Sequence, residues 1–105
     1  VYFEFDSSAI RPEFQPHLEA HARFLRANPT RRVVIEGHTD ERGGREYNLA
    51  LGNQRAEAVG RTLSLLGAGK GQIEAVSFGE ERPAAAGSNE DAWARNRRAE
   101  INYRP

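Results

Sequence analysis

Alternation of hydrophobic and polar positions marks several segments of the chain as β-strands. Between residues 1 and 6, and again between 99 and 103, apolar and polar side chains follow each other with a period of two, which is typical of a half-buried strand. Segments 33–38 and 73–78 are rich in β-branched and other apolar residues and are bounded by turn formers. We therefore predict strands at residues 1–6, 33–38, 73–78 and 99–103.

Two longer segments have the three-and-four spacing of an amphipathic helix. The apolar stripe of the first comprises Phe14, Leu18, Ala22 and Leu25. The stripe of the second comprises Leu49, Gly52, Ala56, Val59, Leu63 and Leu66. Asn28-Pro29 ends the first helix, and the glycine-rich segment 67–71 ends the second, which begins near residue 46. A short helical turn is predicted at residues 91–96.

The element order β-α-β-α-β-β predicts an α/β (α+β) two-layer sandwich, in which helices cover one face of a mixed sheet. The helical crossovers make the first three strands candidates for parallel pairing, and the last strand can insert antiparallel. Neither a linker nor an internal repeat interrupts the chain. We expect residues 1–105 to form a single domain.

The amino-acid composition argues against several classes of function for this chain. Fifteen basic and fifteen acidic residues leave no net charge, so the chain lacks the global field that gathers nucleic acid or acidic membrane, and we expect no nucleic-acid partner. Cysteine is absent, which excludes disulfides and thiolate chemistry. The sequence opens directly in a predicted strand, without a signal peptide or an apolar run of about 20 residues. We therefore expect a fragment whose targeting segment was removed.

Candidate binding chemistry concentrates where the second predicted strand meets the second helix. At roughly 100° per residue, Asn48 and Arg55 lie about 20° apart at the border of the apolar stripe. Asp40 lies in the preceding loop and can reach the same place. An acid, an amide and a guanidinium beside an apolar wall suggest a polar binding site. A structural Asp40–Arg55 salt bridge accounts for the same pattern, and the spacing leaves both interpretations open.

The residues around this site also carry a family signature. Residues 37–43 read Gly-His-Thr-Asp-Glu-Arg-Gly, and Glu46-Tyr47-Asn48, Leu51-Gly52 and Arg55-Ala56 follow. With these motifs the chain resembles the OmpA-like peptidoglycan-binding domains. The Glu-Arg-Gly, Tyr-Asn and Leu-Gly motifs, the opening Val-Tyr-Phe-Glu-Phe-Asp and the closing Asn-Arg-Arg-Ala of residues 96–99 are most similar to the branch called peptidoglycan-associated lipoprotein (Pal). The resemblance covers nearly the whole chain and implies the same two-layer sandwich.

The resemblance implies a pocket for the stem peptide of peptidoglycan, in particular for its diaminopimelate residue. The free end of diaminopimelate carries an ammonium and a carboxylate on one carbon. By resemblance, Asp40 pairs with the ammonium, and the planar fork of Arg55 pairs with the carboxylate. Asn48 can hydrogen-bond either end, and the N-terminus of the second helix adds positive potential. The remaining implied ligand-binding residues are Phe5, Asp6, Ser7, Thr39 and Leu51.

Two positions depart from the pattern of the branch. Thr39 stands where Pal sequences often carry Ala, and Gly44-Arg45 stands where they often carry Thr-Pro. The loop therefore lacks the rigidity that a proline provides.

By resemblance, the chain is a non-catalytic domain without cofactor or metal. It is expected in the Gram-negative periplasm, where it tethers the outer membrane to the cell wall as part of the Tol-Pal system, which serves envelope integrity and cell division. The Pal branch implies a lipid anchor, absent from this chain, that holds the parent protein in the outer membrane, and TolB as a second partner. Two alternatives are the wall-binding domain of an outer-membrane barrel or flagellar stator, and a cell-wall hydrolase.

We assign neither metal binding nor proton transfer to the three histidines. His17 and His21 have the i, i+4 spacing of helical metal ligands, but no third ligand is evident, so no metal site is predicted. His38, close in sequence to Asp40 and Glu41, is interpreted as a loop histidine braced by hydrogen bonds rather than as a metal ligand or proton relay.

Two charged clusters are interpreted in the same way. Asp40 and Glu41 are adjacent, whereas the two carboxyl groups of a glycosidase must flank the bond that is cleaved. Arg95, Arg97 and Arg98 are interpreted as a solvated cluster that protects an edge strand.

Overall fold

Three helices and three strands make up the computed structural model, which describes all 105 residues. In chain order they are α1 (Gln15–Ala27), β1 (Val33–His38), α2 (Arg45–Leu65), β2 (Ile73–Gly79), α3 (Glu90–Asn96) and β3 (Arg98–Tyr103). Short 3-10 turns at Pro12–Phe14 and Lys70–Gln72 lead into α1 and β2. The three predicted helices and the last three predicted strands are thus confirmed.

The sheet is mixed, with the strand order β2-β1-β3. β1 pairs in parallel with β2 and antiparallel with β3, so that Val33 lies opposite both Ile73 and Tyr103. Parallel pairing of β1 and β2 requires a long crossover, which α2 provides. The predicted two-layer class is confirmed, and the C-terminal ends of β1 and β2 lie at the same edge of the sheet.

One apolar cluster joins the helices to the sheet. Its buried members are Phe3, Leu18, Ala22, Leu25, Val33, Ile35, Ala56, Val59, Leu63, Ala68 and Ala99. Because Val33 and Ile35 alternate with Val34 and Glu36 along β1, only one face of the strand enters this core. None of the helices combines the length and the apolar character that crossing a membrane requires.

Two glycines let α2 approach β1 without intervening side chains. A Cβ atom at Gly37 would lie 1.7 Å from the carbonyl oxygen of Gly52, and a Cβ atom at Gly52 would lie 2.3 Å from Ser77 Oγ. Both distances are far inside van der Waals contact, so only glycine fits at these positions. This contact places Asn48 and Arg55, on either side of Gly52, beside the C-terminal end of β1.

The predicted first strand is wrong in extent and in direction. Residues 1–6 form only an isolated antiparallel bridge, Tyr2 to Arg98, beside β3. The amide of Phe3 donates to the Arg97 carbonyl at 2.9 Å, after which the chain turns, with Asp6 at a φ of 54°. The alternation also stops there, because Phe3 is fully buried whereas Phe5 is exposed. The chain leaves the sheet in this segment and directs its carbonyl groups toward Arg55.

Candidate functional site

A pocket of about 220 Å³ opens at the C-terminal end of β1. Its walls come from the turn after Phe3, the loop after β1 and the first turns of α2. The lining residues are Phe5, Asp6, Thr39, Asp40, Arg42, Gly43, Tyr47, Asn48, Leu51 and Arg55. All of the predicted ligand-binding residues except Ser7 are among them. Ser7 instead contributes its backbone carbonyl to the side chain of Arg55.

Arg55 is a fully buried cation held by backbone carbonyl groups. Its Nε donates to Ser7 O at 2.9 Å, Nη1 to His38 O at 2.9 Å, and Nη2 to Glu4 O at 3.2 Å. A guanidinium has five N–H groups, so one on each terminal nitrogen is left without an acceptor. Burial lowers the pKa of Arg55 to about 10, and the group therefore stays protonated at neutral pH.

The alternative interpretation of a structural Asp40–Arg55 salt bridge is wrong. The carboxylate of Asp40 is instead bound by Arg42, whose Nη2 lies 2.8 Å from Oδ2 and whose backbone amide lies 3.0 Å from Oδ1. Nη1 of Arg97 lies 3.6 Å from Oδ2. Burial alone would raise the pKa of Asp40, but the hydrogen bonds from Arg42 and the charges of Arg42 and Arg97 outweigh it. The pKa therefore lies below its ordinary value.

Arg42 also lines the pocket. Its guanidinium carbon lies 4.1 Å from the centroid of the Phe5 ring and 4.1 Å from that of Trp93, so it is stacked between two aromatic rings. Trp93 is itself oriented by a hydrogen bond from Nε1 to Glu41 at 3.1 Å. The sequence interpretation did not assign a role to Arg42, although the Glu-Arg-Gly motif contains it.

The polar side chains at the start of α2 are already engaged with neighbouring loops. Asn48 Nδ2 donates to Glu80 Oε1 at 3.0 Å and to the Asp40 carbonyl at 3.4 Å, which leaves Asn48 Oδ1 as its available group. The hydroxyl of Tyr47 donates to the carboxylate of Asp6 and so connects α2 to the turn after Phe3. Sequence reasoning missed this role of Tyr47, although the Tyr-Asn motif includes it.

The basic cluster near residue 97 is not the solvated cluster predicted from sequence. Arg95 is exposed, but Arg97 and Arg98 are buried. Arg97 donates from Nε to Phe3 O at 2.9 Å and from Nη2 to Glu90 at 2.8 Å, while its Nη1 is directed toward Asp40 without a hydrogen bond. Arg97, which lies between α3 and β3, therefore connects this part of the chain to the backbone of Phe3 and to the loop that carries Asp40.

The histidines also differ from one another in the structure. His17 and His21 contact through their Nε2 atoms at 3.3 Å, and His21 Nδ1 lies 2.7 Å from the hydroxyl of Tyr103. His38 was interpreted as a loop residue braced by hydrogen bonds, which is wrong. It is the last residue of β1, it is buried, and neither ring nitrogen has a hydrogen-bond partner.

Comparisons with known proteins agree with the fold and the signature. A sequence model described as the OmpA family matches residues 2–97. A peptidoglycan-associated lipoprotein of Pseudomonas putida is 57% identical over 100 residues, which are 95% of this chain and 60% of that protein. One from Pasteurella multocida is 52% identical over 103 residues, 98% of this chain and 69% of that protein. The chain thus spans about three fifths of the length of its Pseudomonas relative.

Solved structures give the same result. The crystal structure of the peptidoglycan-associated lipoprotein from Burkholderia pseudomallei superposes with a TM-score of 0.98 at 55% identity, covering 99% of this chain and 88% of that chain. The C-terminal domain of Helicobacter pylori MotB superposes with a TM-score of 0.89 at 24% identity, covering 99% of this chain and 82% of that chain, and shares the fold. The resemblance to OmpA-like domains, and to the Pal branch in particular, is confirmed.

Proposed function

This chain belongs to the OmpA family, and we propose that it is a non-catalytic domain that binds the diaminopimelate-containing stem peptide of peptidoglycan. The observation that carries the proposal is Arg55, a buried cation at the pocket that has two unused N–H groups and no carboxylate partner within the chain. The names of the relatives, at 57% and 55% identity in two Pseudomonas proteins, support peptidoglycan as the ligand.

The pocket suits the free end of a diaminopimelate side chain. Pockets for drug-sized ligands run from roughly 300 to 1,000 Å³, whereas this one is about 220 Å³ and fits a single side chain better than a sugar chain. A ligand carboxylate would accept from the unused N–H groups of Arg55 and provide the counter-charge that the chain does not place there. Leu51 supplies the apolar wall for the methylene groups, and Asn48 Oδ1 can accept from the ligand ammonium.

Asp40 must lose its contact with Arg42 before it can bind the ligand ammonium. Its carboxylate is buried beneath Arg42, which occupies both oxygens. Binding in the proposed mode moves the Arg42 guanidinium aside and replaces it with the ligand ammonium, so one charge-assisted pair is exchanged for another. The Arg42 side chain keeps its aromatic neighbours Phe5 and Trp93 as alternative contacts.

The arrangement of carboxylates supports binding rather than hydrolysis. A general acid at neutral pH needs a raised pKa. The pKa of Asp40 is lowered by Arg42, and the pKa of Glu41 is lowered by hydrogen bonds from Ser88 and Trp93. Both groups are therefore ionised and already paired, which disfavours the cell-wall hydrolase.

In the parent protein, the domain would tether the outer membrane to the cell wall from the periplasm, within the Tol-Pal system. The lipid anchor would lie in the part of the relatives that this chain does not span, and TolB would be a second partner. The relatives at 52–57% identity carry the Pal name, which favours this parent over an outer-membrane barrel or a flagellar stator.

Sedimentation with purified sacculi tests the proposal. The wild-type domain should sediment with the sacculi and release no soluble muropeptides into the supernatant. Arg55→Lys removes the planar fork while keeping a positive charge, and it should reduce sedimentation strongly. Arg61→Ala, on the exposed side of the same helix, is the matched control and should sediment like wild type. Soluble fragments would overturn the non-catalytic assignment, and unchanged sedimentation of folded Arg55→Lys would overturn the assigned pocket.

A further inference from the structure

We propose that Glu36, His38 and Glu100 form a binding site for a divalent transition metal, with Zn²⁺ as the best fit. The three residues lie on the face of the sheet opposite the helices. Glu36 and Glu100 are directly opposite each other on β1 and β3, and His38 follows two positions after Glu36, so all three side chains leave the same face. One ligand atom of each residue lies within 4.8 Å of the others. This site is separate from the peptide pocket.

His38 is the observation that distinguishes this cluster from ordinary surface carboxylates. Its side chain is 2% exposed, and neither Nδ1 nor Nε2 makes a hydrogen bond. A buried polar atom without a partner destabilises the fold, so an imidazole in this position is expected to have a ligand. Nε2 is directed at the two carboxylates, at 3.5 Å from Glu36 Oε1 and 3.9 Å from Glu100 Oε2.

The distances from His38 Nε2 to the two carboxylate oxygens are long for hydrogen bonds, but they are close to the distances between neighbouring ligand atoms around one metal ion. Zinc binds nitrogen and carboxylate oxygen at about 2.0–2.2 Å, which places neighbouring ligand atoms of a tetrahedral site roughly 3.3–3.6 Å apart. The Glu36 contact is in this range already. The Glu100 side chain is 42% exposed, so a small rotation can bring its oxygen closer. Water would complete the fourth position, as in zinc sites with three protein ligands.

The packing around His38 holds its ring in one position. The ring is stacked on Phe78 with centroids 5.6 Å apart, which fixes its orientation. A mixed histidine and carboxylate donor set favours Zn²⁺ and similar metals over Ca²⁺ or Mg²⁺, which prefer oxygen alone.

Arg98 is the main opposing charge, and it does not fill the site. Its Nε donates to Glu100 Oε2, while its terminal nitrogens donate to the Asn96 and Arg82 carbonyls.

Calorimetric titration with ZnCl₂ at pH 7 tests the site. The parent for all variants is His17→Ala, because His17 and His21 have the i, i+4 spacing of two helical metal ligands and replacing one of them removes a competing pair. This parent should bind one Zn²⁺. Loss of an outer-shell partner alone typically weakens metal binding by roughly 10–100-fold. Glu36→Gln and Glu100→Gln should therefore each weaken Zn²⁺ binding by at least about tenfold.

Glu74→Gln is the matched control, since Glu74 also projects from the outer sheet face and pairs with an arginine, Arg104. It should leave the Kd for Zn²⁺ unchanged. Both test residues are partly exposed, so their variants are expected to fold and the result does not depend on replacing buried His38. Absence of Zn²⁺ binding by the His17→Ala parent, or equal Kd values for Glu100→Gln and Glu74→Gln, would overturn the proposal.

Discussion

At the scale of the residue, the site depends on how the chain accommodates the buried guanidinium of Arg55. The sequence indicated Arg55 as a site residue through its place at the border of the helical stripe and in the family signature. Its partners could not be predicted, because they are backbone carbonyls of Glu4, Ser7 and His38, and carbonyl groups carry no residue-specific pattern. Arg55 therefore has two roles, since it joins three segments of the fold and also faces the pocket.

The structural role of Arg55 predicts a loss of stability on truncation. Arg55→Ala removes a donor from the carbonyl groups of Ser7, His38 and Glu4, of which Glu4 O still accepts from the amide of Ser7. A buried acceptor that loses its donor costs roughly 1–3 kcal/mol. We expect the free energy of unfolding to fall by about 3 kcal/mol or more, as measured by urea denaturation. Arg61→Ala, at an exposed position of α2, should change it by less than about 0.5 kcal/mol. Equal urea midpoints for the two variants would contradict the role of Arg55 in the fold.

The pairing of Asp40 with Arg42 predicts a pH dependence. The pKa of Asp40 is depressed below its ordinary value of 3.8, so the pair stabilises the fold above that pH and the stabilisation is lost as the pH falls through the depressed value. Asp40→Asn should therefore cost about 2 kcal/mol of unfolding free energy at pH 7. The difference from wild type should shrink below about pH 4. A difference that stays constant from pH 7 to pH 3 would show that the Asp40 charge is not involved.

The adjacent carboxylates should differ in their effect on binding. Asp40 lines the pocket, whereas Glu41 is exposed and accepts from Trp93 outside it. Asp40→Asn should reduce sedimentation with sacculi much more than Glu41→Gln does, because only Asp40 can meet the ligand ammonium. The comparison should be made at pH 7 and at a temperature where both variants are folded by circular dichroism. An equal reduction in both variants would exclude a specific role for Asp40.

At the scale of the element, the two long helices and three of the strands followed directly from periodicity. The first strand was not predicted correctly. The alternation of residues 1–6 suggests a strand, but it does not show that the chain turns away from the sheet, where the carbonyl groups of Glu4 and Ser7 bind Arg55. The short helix α3 was predicted, but its consequence was not. It places Trp93 against Arg42, a contact between residues far apart in sequence, and it precedes the buried Arg97 and Arg98.

The packing of α2 on β1 predicts that Gly37 is intolerant of any side chain. A Cβ atom there would meet the Gly52 carbonyl at 1.7 Å, and backbone atoms on both sides leave no flexible group to move away. Gly37→Ala should lower the free energy of unfolding by about 3 kcal/mol or more, at or above the usual range for overpacking. Gly71→Ala is the control, because nothing lies within 4 Å of its Cβ position. Urea midpoints measure both, and a wild-type midpoint for Gly37→Ala would refute the close approach.

At the scale of the whole molecule, the fold brings three segments distant in sequence to one edge of the sheet. The proximity of the loop after β1 to the start of α2 follows from the chain topology. The position of the turn after Phe3 was not predictable in this way, because residues 1–6 do not form the predicted parallel strand. The detailed state of the pocket was not predictable, since it depends on Arg42 and Tyr47, which are engaged with Asp40 and Asp6 through side-chain rotamers. With no net charge on the chain, attachment to the cell wall is expected to depend on this pocket rather than on a global field.

Arg55 is expected to bind the free carboxylate of diaminopimelate, and calorimetric titration with two matched stem peptides measures whether it does. One peptide carries diaminopimelate and the other carries lysine, which keeps the ammonium but lacks that carboxylate. Loss of a charge-assisted hydrogen-bonded group costs roughly 1.5–3 kcal/mol, or about ten- to a hundredfold in affinity. Because water can refill part of a shallow pocket, we expect the diaminopimelate peptide to bind about tenfold more tightly. Equal dissociation constants for the two peptides would show that Arg55 does not bind that carboxylate.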